Sequence, residues 1–318
     1  FWPQLSGIFS PANRRFASSR LLSGKRVGPE TLIGRDDSLR DLGVAWSGPV
    51  RKNILVVVGW GGSGKSSLVV HWRNRLQQRI DHGIERYFDW SFYRQAASQT
   101  VDAIREVNTN SDVFLQEALE FFGDPSLAKS RASSWRKGER LAELIQTRRT
   151  LVILDGLEPL QDARSGELRD EGLRALLQGL ASANPGLCII TTRRRLPELA
   201  TWYETTCSEL ALRPLTPTDG ALLLSQKGVK GTNEEMLALS QAAKGHALTL
   251  ALLGSYIRQA YHGDIRSVDQ ASLTELDEGD LTFDTMGRYE RWLEAGLCKT
   301  ELAILRMIGL FERPATHE

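Results

Sequence analysis

The chain has 318 residues, 41% of them hydrophobic and 25% charged with only 11 prolines, a balance that excludes a disordered tail and a fibrous repeat. At about 100 to 200 residues per domain, this length allows two domains or one large one. The 40 Lys and Arg against 39 Asp and Glu exclude nucleic-acid binding through bulk basic charge, and the 3 dispersed cysteines exclude a disulfide framework or a CxxC zinc site.

Residues 1–29 carry Ser, Gly, Pro and Arg without a sustained period and read as a linker. A short amphipathic helix follows, entered through Asp36 or Asp37 and ended by Gly48-Pro49. Asn53 to Gly59 is a continuous β-branched run, the pattern of a strand buried on both faces. After a glycine-rich turn, Lys65 to Gln78 has Leu68, Val69, Trp72, Leu76 and Ile80 at helical spacing, with Gly83 as the expected C-cap. Strands are expected at Ile84 to Trp90, Thr150 to Leu154, Leu187 to Thr192 and Cys207 to Leu212. Helices are expected at Asp112 to Phe122, Trp135 to Thr147, Leu168 to Ala183 and, briefly, Leu196 to Tyr203. This alternation predicts an α/β fold with a parallel sheet covered on both faces. Beyond Pro214 the strands stop, and Thr218 to Gln226, Glu234 to Ala243 and Leu248 to Tyr261 are helical in period. A last helical piece begins near Met286. The expected organisation is a linker at 1–29, a nucleotide-binding domain at 30–213, a small helical domain at 214–284 and the beginning of a third domain at 285–318.

The apolar runs are far shorter than the roughly 18 residues a membrane-spanning helix needs, so no membrane partner is expected. The unpaired cysteines fit a reducing, cytoplasmic compartment. A chain that begins with Phe1 reads as a segment excised from something longer.

The segment Gly59-Trp60-Gly61-Gly62-Ser63-Gly64-Lys65-Ser66 matches G-x-x-x-x-G-K-[ST] and lies between an expected buried strand and an amphipathic helix, the context that motif needs. Its glycines let consecutive N–H groups turn toward phosphate oxygens, helped by the N-terminus of the following helix, and Ser67 extends that cradle. Lys65 offers charge to the β- and γ-phosphates, and Ser66 a hydroxyl to Mg²⁺. The second metal-organising group is Asp155, placed by Leu151-Val152-Ile153-Leu154 at the carboxyl edge of a strand, and Glu158 could polarise an attacking water as general base. Thr191-Thr192-Arg193 would reach the same edge, with Arg193 aimed at the γ-phosphate. Arg194 and Arg195 extend the run, with a solvated surface or a nucleic-acid contact as the alternative reading. No N/T-K-x-D segment for guanine follows, so ATP and ADP are the expected nucleotides.

These residues resemble the nucleotide-binding module of the STAND class of P-loop ATPases, which includes the NACHT and NB-ARC proteins. Ile33-Gly34-Arg35-Asp36 resembles the family's entry segment near the adenine, LVILDGLE at 151–158 its second acidic strand, and Thr191-Thr192-Arg193 its sensor strand. Lys244-Gly245-His246-Ala247-Leu248 resembles the G-x-P-L segment that touches base or sugar, with His246 where proline is usual. Residues 302–314 resemble the opening of a winged-helix domain. The resemblance implies an AAA+-like core and a slow regulatory ATPase in which nucleotide bridges the core and the helical domain. It further implies self-assembly, an effector and a sensor domain outside this segment, a phage-derived protein trigger and bacterial antiviral defence. The alternatives are a transcription activator of the same architecture, whose DNA-binding domain would lie elsewhere, and a P-loop small-molecule kinase.

Overall fold

The computed structural model describes residues 32–79, 83–92 and 111–267. The segments read as an N-terminal linker and as the last helical piece from Met286 lie outside the described residues. Contacts divide the chain into two compact units, and the division does not follow a single cut. One unit includes Asp37–Val58 and Ser66–Ala211. The other includes, of the described residues, those from 32 to Asp36, Gly59–Lys65, and those from Leu212 to Ser267.

The first unit is built on five parallel strands: β1 (Ile54–Val58), β2 (Arg86–Ser91), β3 (Thr150–Asp155), β4 (Leu187–Thr192) and β5 (Cys207–Ala211), in the order β2-β3-β4-β1-β5. β3 and β4 are buried at every position, the reason both read as unbroken apolar runs. Register aligns Val58 with Thr192 and Leu154 with Ile190, so the carboxyl ends of β1, β3 and β4 reach one edge together. The helices are α1 (Asp36–Ser47), α2 (Lys65–Gln77), α3 (Asp112–Phe122), α4 (Pro125–Ala128), α5 (Ser134–Gln146) and α6 (Glu171–Ser182).

Apolar residues from the strands and from α3, α5 and α6 form one core, with Phe88, Trp90 and Phe92 packed against Phe114. α5 and α6 approach at glycines. A Cβ on Gly138 would stand 2.0 Å from the Gly172 carbonyl oxygen, and one on Gly179 would stand 2.6 Å from the Ala142 Cβ.

In the second unit, α7 (Pro217–Gln226), α8 (Asn233–Ala242) and α9 (Ala247–Ala260) enclose a separate core of Leu215, Leu224, Leu239, Leu250, Leu253 and Ile257. Each helix starts on a side-chain cap: Thr216 accepts from the Asp219 N–H, Thr232 forms a capping box with Glu235, and His246 accepts from the Thr249 N–H.

The strand-and-helix alternation follows the sequence reading, with local differences: β2 starts at Arg86 rather than Ile84, and α4 is not among the expected helices. α2 ends at Gln77, six residues before Gly83, so that glycine is not its cap. Asp36 and Asp37 lie inside the first turn of α1 rather than before it. The helix expected from Leu168 starts at Glu171, because Leu168 bridges to Gln161 and Asp170 spends its carboxylate capping Leu173 N and holding Ser111. The short helix before Tyr203 is a 3₁₀ segment, Pro197–Trp202.

Candidate functional site

At the carboxyl edge of the sheet, Asp155 ends β3 buried, and its Oδ1 accepts from Ser66 Oγ at 2.7 Å and from Thr191 Oγ1 at 2.7 Å. Thr191 Oγ1 accepts in turn from Gly156 N at 2.9 Å, and the Thr191 carbonyl accepts from the N–H groups of Gly156 and Leu157. The end of β4 is thereby laced to the segment that follows Asp155. Glu158 opens the 3₁₀ turn Glu158–Leu160, with its side chain 16% exposed, and one carboxylate oxygen lies 3.8 Å from Arg193 Nε. The expected metal pair, Ser66 and Asp155, is thus in direct contact, and the expected base and expected cation face each other. Arg195 is taken up elsewhere, ion-paired with Glu209 at 3.2 Å and stacked on Tyr203. Ser67 sits half-buried in the first turn of α2.

The glycine-rich loop is shaped by its own unit. Gly62 and Gly64 take φ of +75° and +94°, a region that L side chains rarely enter. Lys65 Nζ donates to the carbonyls of Gly59 at 2.7 Å and Trp60 at 3.0 Å, which arches the loop over the lysine stem. Arg35, buried, donates to the Ser63 carbonyl at 3.1 Å and the Arg213 carbonyl at 2.7 Å, so this predicted nucleotide residue braces the loop. Burial lowers the pKa of Arg35, and Asp219 pulls it back up. Gly34 has φ +64°, and a Cβ there would stand 2.7 Å from the Asp219 carboxyl group. Ile33 is half-buried just before it.

His246 is tied to the loop as well. Gly61 O can only accept, so His246 Nε2 carries the hydrogen across their 2.7 Å contact, and Nδ1 accepts from the Thr249 hydroxyl at 2.7 Å and its N–H at 3.4 Å. Leu248 N donates to Gly62 O at 3.1 Å. Two successive loop carbonyls are therefore held by the start of α9. Arg35, Trp60, Ser63, Leu212, Pro214 and His246 line a recess beside the loop.

Two observations agree with a phosphate guest in this loop. Ser63 Oγ is buried without a hydrogen-bond partner among the described residues, and a Cβ on Gly64 would project into open space. The carbonyls of Gly61, Gly62 and Ser63 are all engaged by side chains or α9, and the Ser63 N–H donates to the Trp60 carbonyl at 3.2 Å. An acid beside a serine hydroxyl is a donor set of the oxygen type Mg²⁺ prefers. Among the described residues no group of three or more His, Cys, Asp or Glu is positioned to hold a metal ion. None of the described helices is long and apolar enough to cross a membrane.

Among solved structures, the chain is similar to a STAND protein with a tetratricopeptide repeat sensor from Pyrococcus horikoshii, at 17% identity over 81% of this chain and 33% of that one, TM-score 0.48. It spans about a third of that protein's length. It is also similar to a Walker-type ATPase of Pyrococcus abyssi, at 18% identity over 87% and 76% of the two chains, TM-score 0.44. A third similar structure is the Aeropyrum pernix ORC1 protein in complex with DNA, at 18% identity over 85% and 69%, TM-score 0.48. No curated protein matches the chain. The family model described as the AAA ATPase domain matches residues 31–190, half of the chain, and within that span fall the phosphate loop and the acidic strand end: the chain belongs to the AAA ATPase domain family, enzymes that hydrolyse ATP.

Proposed function

We propose that this ATPase is the nucleotide switch of a STAND-class signalling protein, in which slow ATP hydrolysis governs assembly with further copies of itself. The observation that carries this reading is the 3.8 Å contact between Glu158 and Arg193 at the edge where Asp155 meets Ser66. Ser66 and Asp155 would hold Mg²⁺, which when bound neutralises charge on the phosphoryl group in transfer. Loop N–H groups and Lys65 orient the phosphates. Glu158 polarises the attacking water and takes its proton at a carboxylate oxygen. The contact between Glu158 and Arg193 is longer than a hydrogen bond, so Arg193 can turn toward a γ-phosphate and release the carboxylate for that work. A base held by a cation until substrate arrives suits a timer better than a high-turnover enzyme.

The finer biology follows from the sequence resemblance: an effector and a sensor domain beyond these residues, a phage-derived protein as trigger, and antiviral defence in a bacterial cytoplasm. The test is Glu158→Gln. It is expected to bind a fluorescent ATP analogue with wild-type affinity, to hydrolyse ATP about 100-fold more slowly or worse, and to persist as a larger species with ATP in light scattering after size exclusion, where the ADP form is monomeric. Wild-type turnover would remove Glu158 from the base role. One size in every nucleotide state would overturn the assembly reading and leave the ATPase intact.

A further inference from the structure

We infer that Gln161 is a positioning residue for hydrolysis, which fixes the geometry of the Glu158–Arg193 pair without touching nucleotide. The inference rests on the reading of Glu158 as the base. Gln161 is 6% exposed, close in sequence to the buried Leu157 and Leu160, a place where an amide is costly unless every polar atom is paired. It is paired throughout. Its Nε2 donates to the Gly166 carbonyl at 2.8 Å, and its Oε1 accepts from Thr192 Oγ1 at 2.5 Å. Thr192 Oγ1 accepts in turn from Arg194 N at 3.2 Å. Donation therefore runs one way, from Arg194 through Thr192 and Gln161 to Gly166. Because Gly166 O can only accept, this chain also fixes which end of the amide faces which partner.

The two ends of the Gln161–Thr192 bond are one step from the working pair. Gln161 N closes the 3₁₀ turn by donating to the Glu158 carbonyl at 3.2 Å, and Thr192 immediately precedes Arg193. Successive strand residues face opposite sides of a sheet, and the two threonines use that fact. Thr191 turns its hydroxyl to Asp155, and Thr192 turns its own to Gln161. One strand end thus registers the metal-binding acid on one face and the turn of the base on the other. Without the amide, the Asp155 tie and the backbone ties to Thr191 survive, but the turn carrying Glu158 loses its side-chain anchor to Thr192.

The test uses the full chain with Gln161→Leu, Thr192→Val and the double variant. Gln161→Leu is expected to lower kcat by about 10- to 100-fold, the cost of misplacing a catalytic group by a fraction of an ångström, with KM for ATP and affinity for a non-hydrolysable analogue within twofold. Thr192→Val should match it, Thr192→Ser should restore turnover, and the double variant should be no worse than either single one. In the protein without nucleotide, amide hydrogen exchange should accelerate across 158–168 and 193–196 and stay unchanged across 54–66. Should Gln161→Leu fail to fold, Thr192→Val, which removes one hydroxyl from a strand that favours valine, carries the test alone. Turnover and exchange at wild-type levels in these variants while Glu158→Gln is inactive would overturn the role of Gln161. Wild-type turnover in Glu158→Gln would instead overturn the reading on which it rests.

Discussion

Asp155 Oδ1 receives two hydroxyl hydrogens, from Ser66 and Thr191, and this shared acceptance orients the carboxylate before any cation arrives. Asp155→Asn retains an oxygen that can accept both and loses the charge. It is therefore expected to bind ATP in EDTA within twofold of wild type and to lose at least about tenfold of the affinity that Mg²⁺ adds, read by titration calorimetry with and without the ion. His246 offers a cleaner separation of two roles, since Nδ1 caps α9 while Nε2 holds Gly61. Asparagine is a good N-cap but too short to reach the loop. His246→Asn should keep the melting temperature and lose about fivefold in nucleotide affinity, the worth of one ~1 kcal/mol hydrogen bond. His246→Ala should lose both. The residues proposed to meet phosphate were legible in the sequence because a cradle needs adjacent residues, and Asp155, 89 residues from Ser66, because it closes an apolar strand. Gln161 was not, for its hydroxyl partner lies 31 residues away, and the 185 residues between His246 and Gly61 likewise hid a tie that local pattern cannot show. A glutamine three residues after Glu158, directly after Leu160, was the one available hint.

At the level of elements, glycine acts in opposite senses. Gly138 sits where α5 meets α6, and its missing side chain is the space filled by the Gly172 carbonyl. Gly43, inside α1, would carry a Cβ into open space. Gly138→Ala is expected to destabilise by about 1–3 kcal/mol through overpacking, and Gly43→Ala to stabilise by about 0.5–1 kcal/mol through reduced backbone entropy. Thermal unfolding by circular dichroism should therefore move Tm in opposite directions for the same substitution. The strands were readable where burial on both faces favours runs of apolar side chains, as at 151–154 in β3 and 187–190 in β4. β2 carries Asp89 buried in mid-strand, which blurred its limits. The start of α6 was misread because Leu168 looks like a helix face and is instead half of a bridge.

Across the whole molecule, one of the boundaries between the two units falls at the peptide bond between Lys65 and Ser66. The phosphate loop belongs with the residues after Leu212, while the serine and aspartate suited to the metal belong with the sheet. A chain cut after Arg213 would keep every residue of the G-x-x-x-x-G-K-S motif and lose the groups that hold Gly61 and Gly62. It is expected to fall about tenfold or more in ATP-analogue affinity, measured by fluorescence anisotropy; affinity within twofold of the full chain would show that the loop keeps its shape unaided.

The two ties from α9 to the loop carbonyls also close a thermodynamic cycle. Whatever factor a bound nucleotide applies to the strength of those ties, the ties apply to the nucleotide's affinity. A force, a partner or a substitution acting on α9 is thus recorded as a change in the ATP concentration at which the loop half-fills, and that concentration becomes a gauge of the load on the helix.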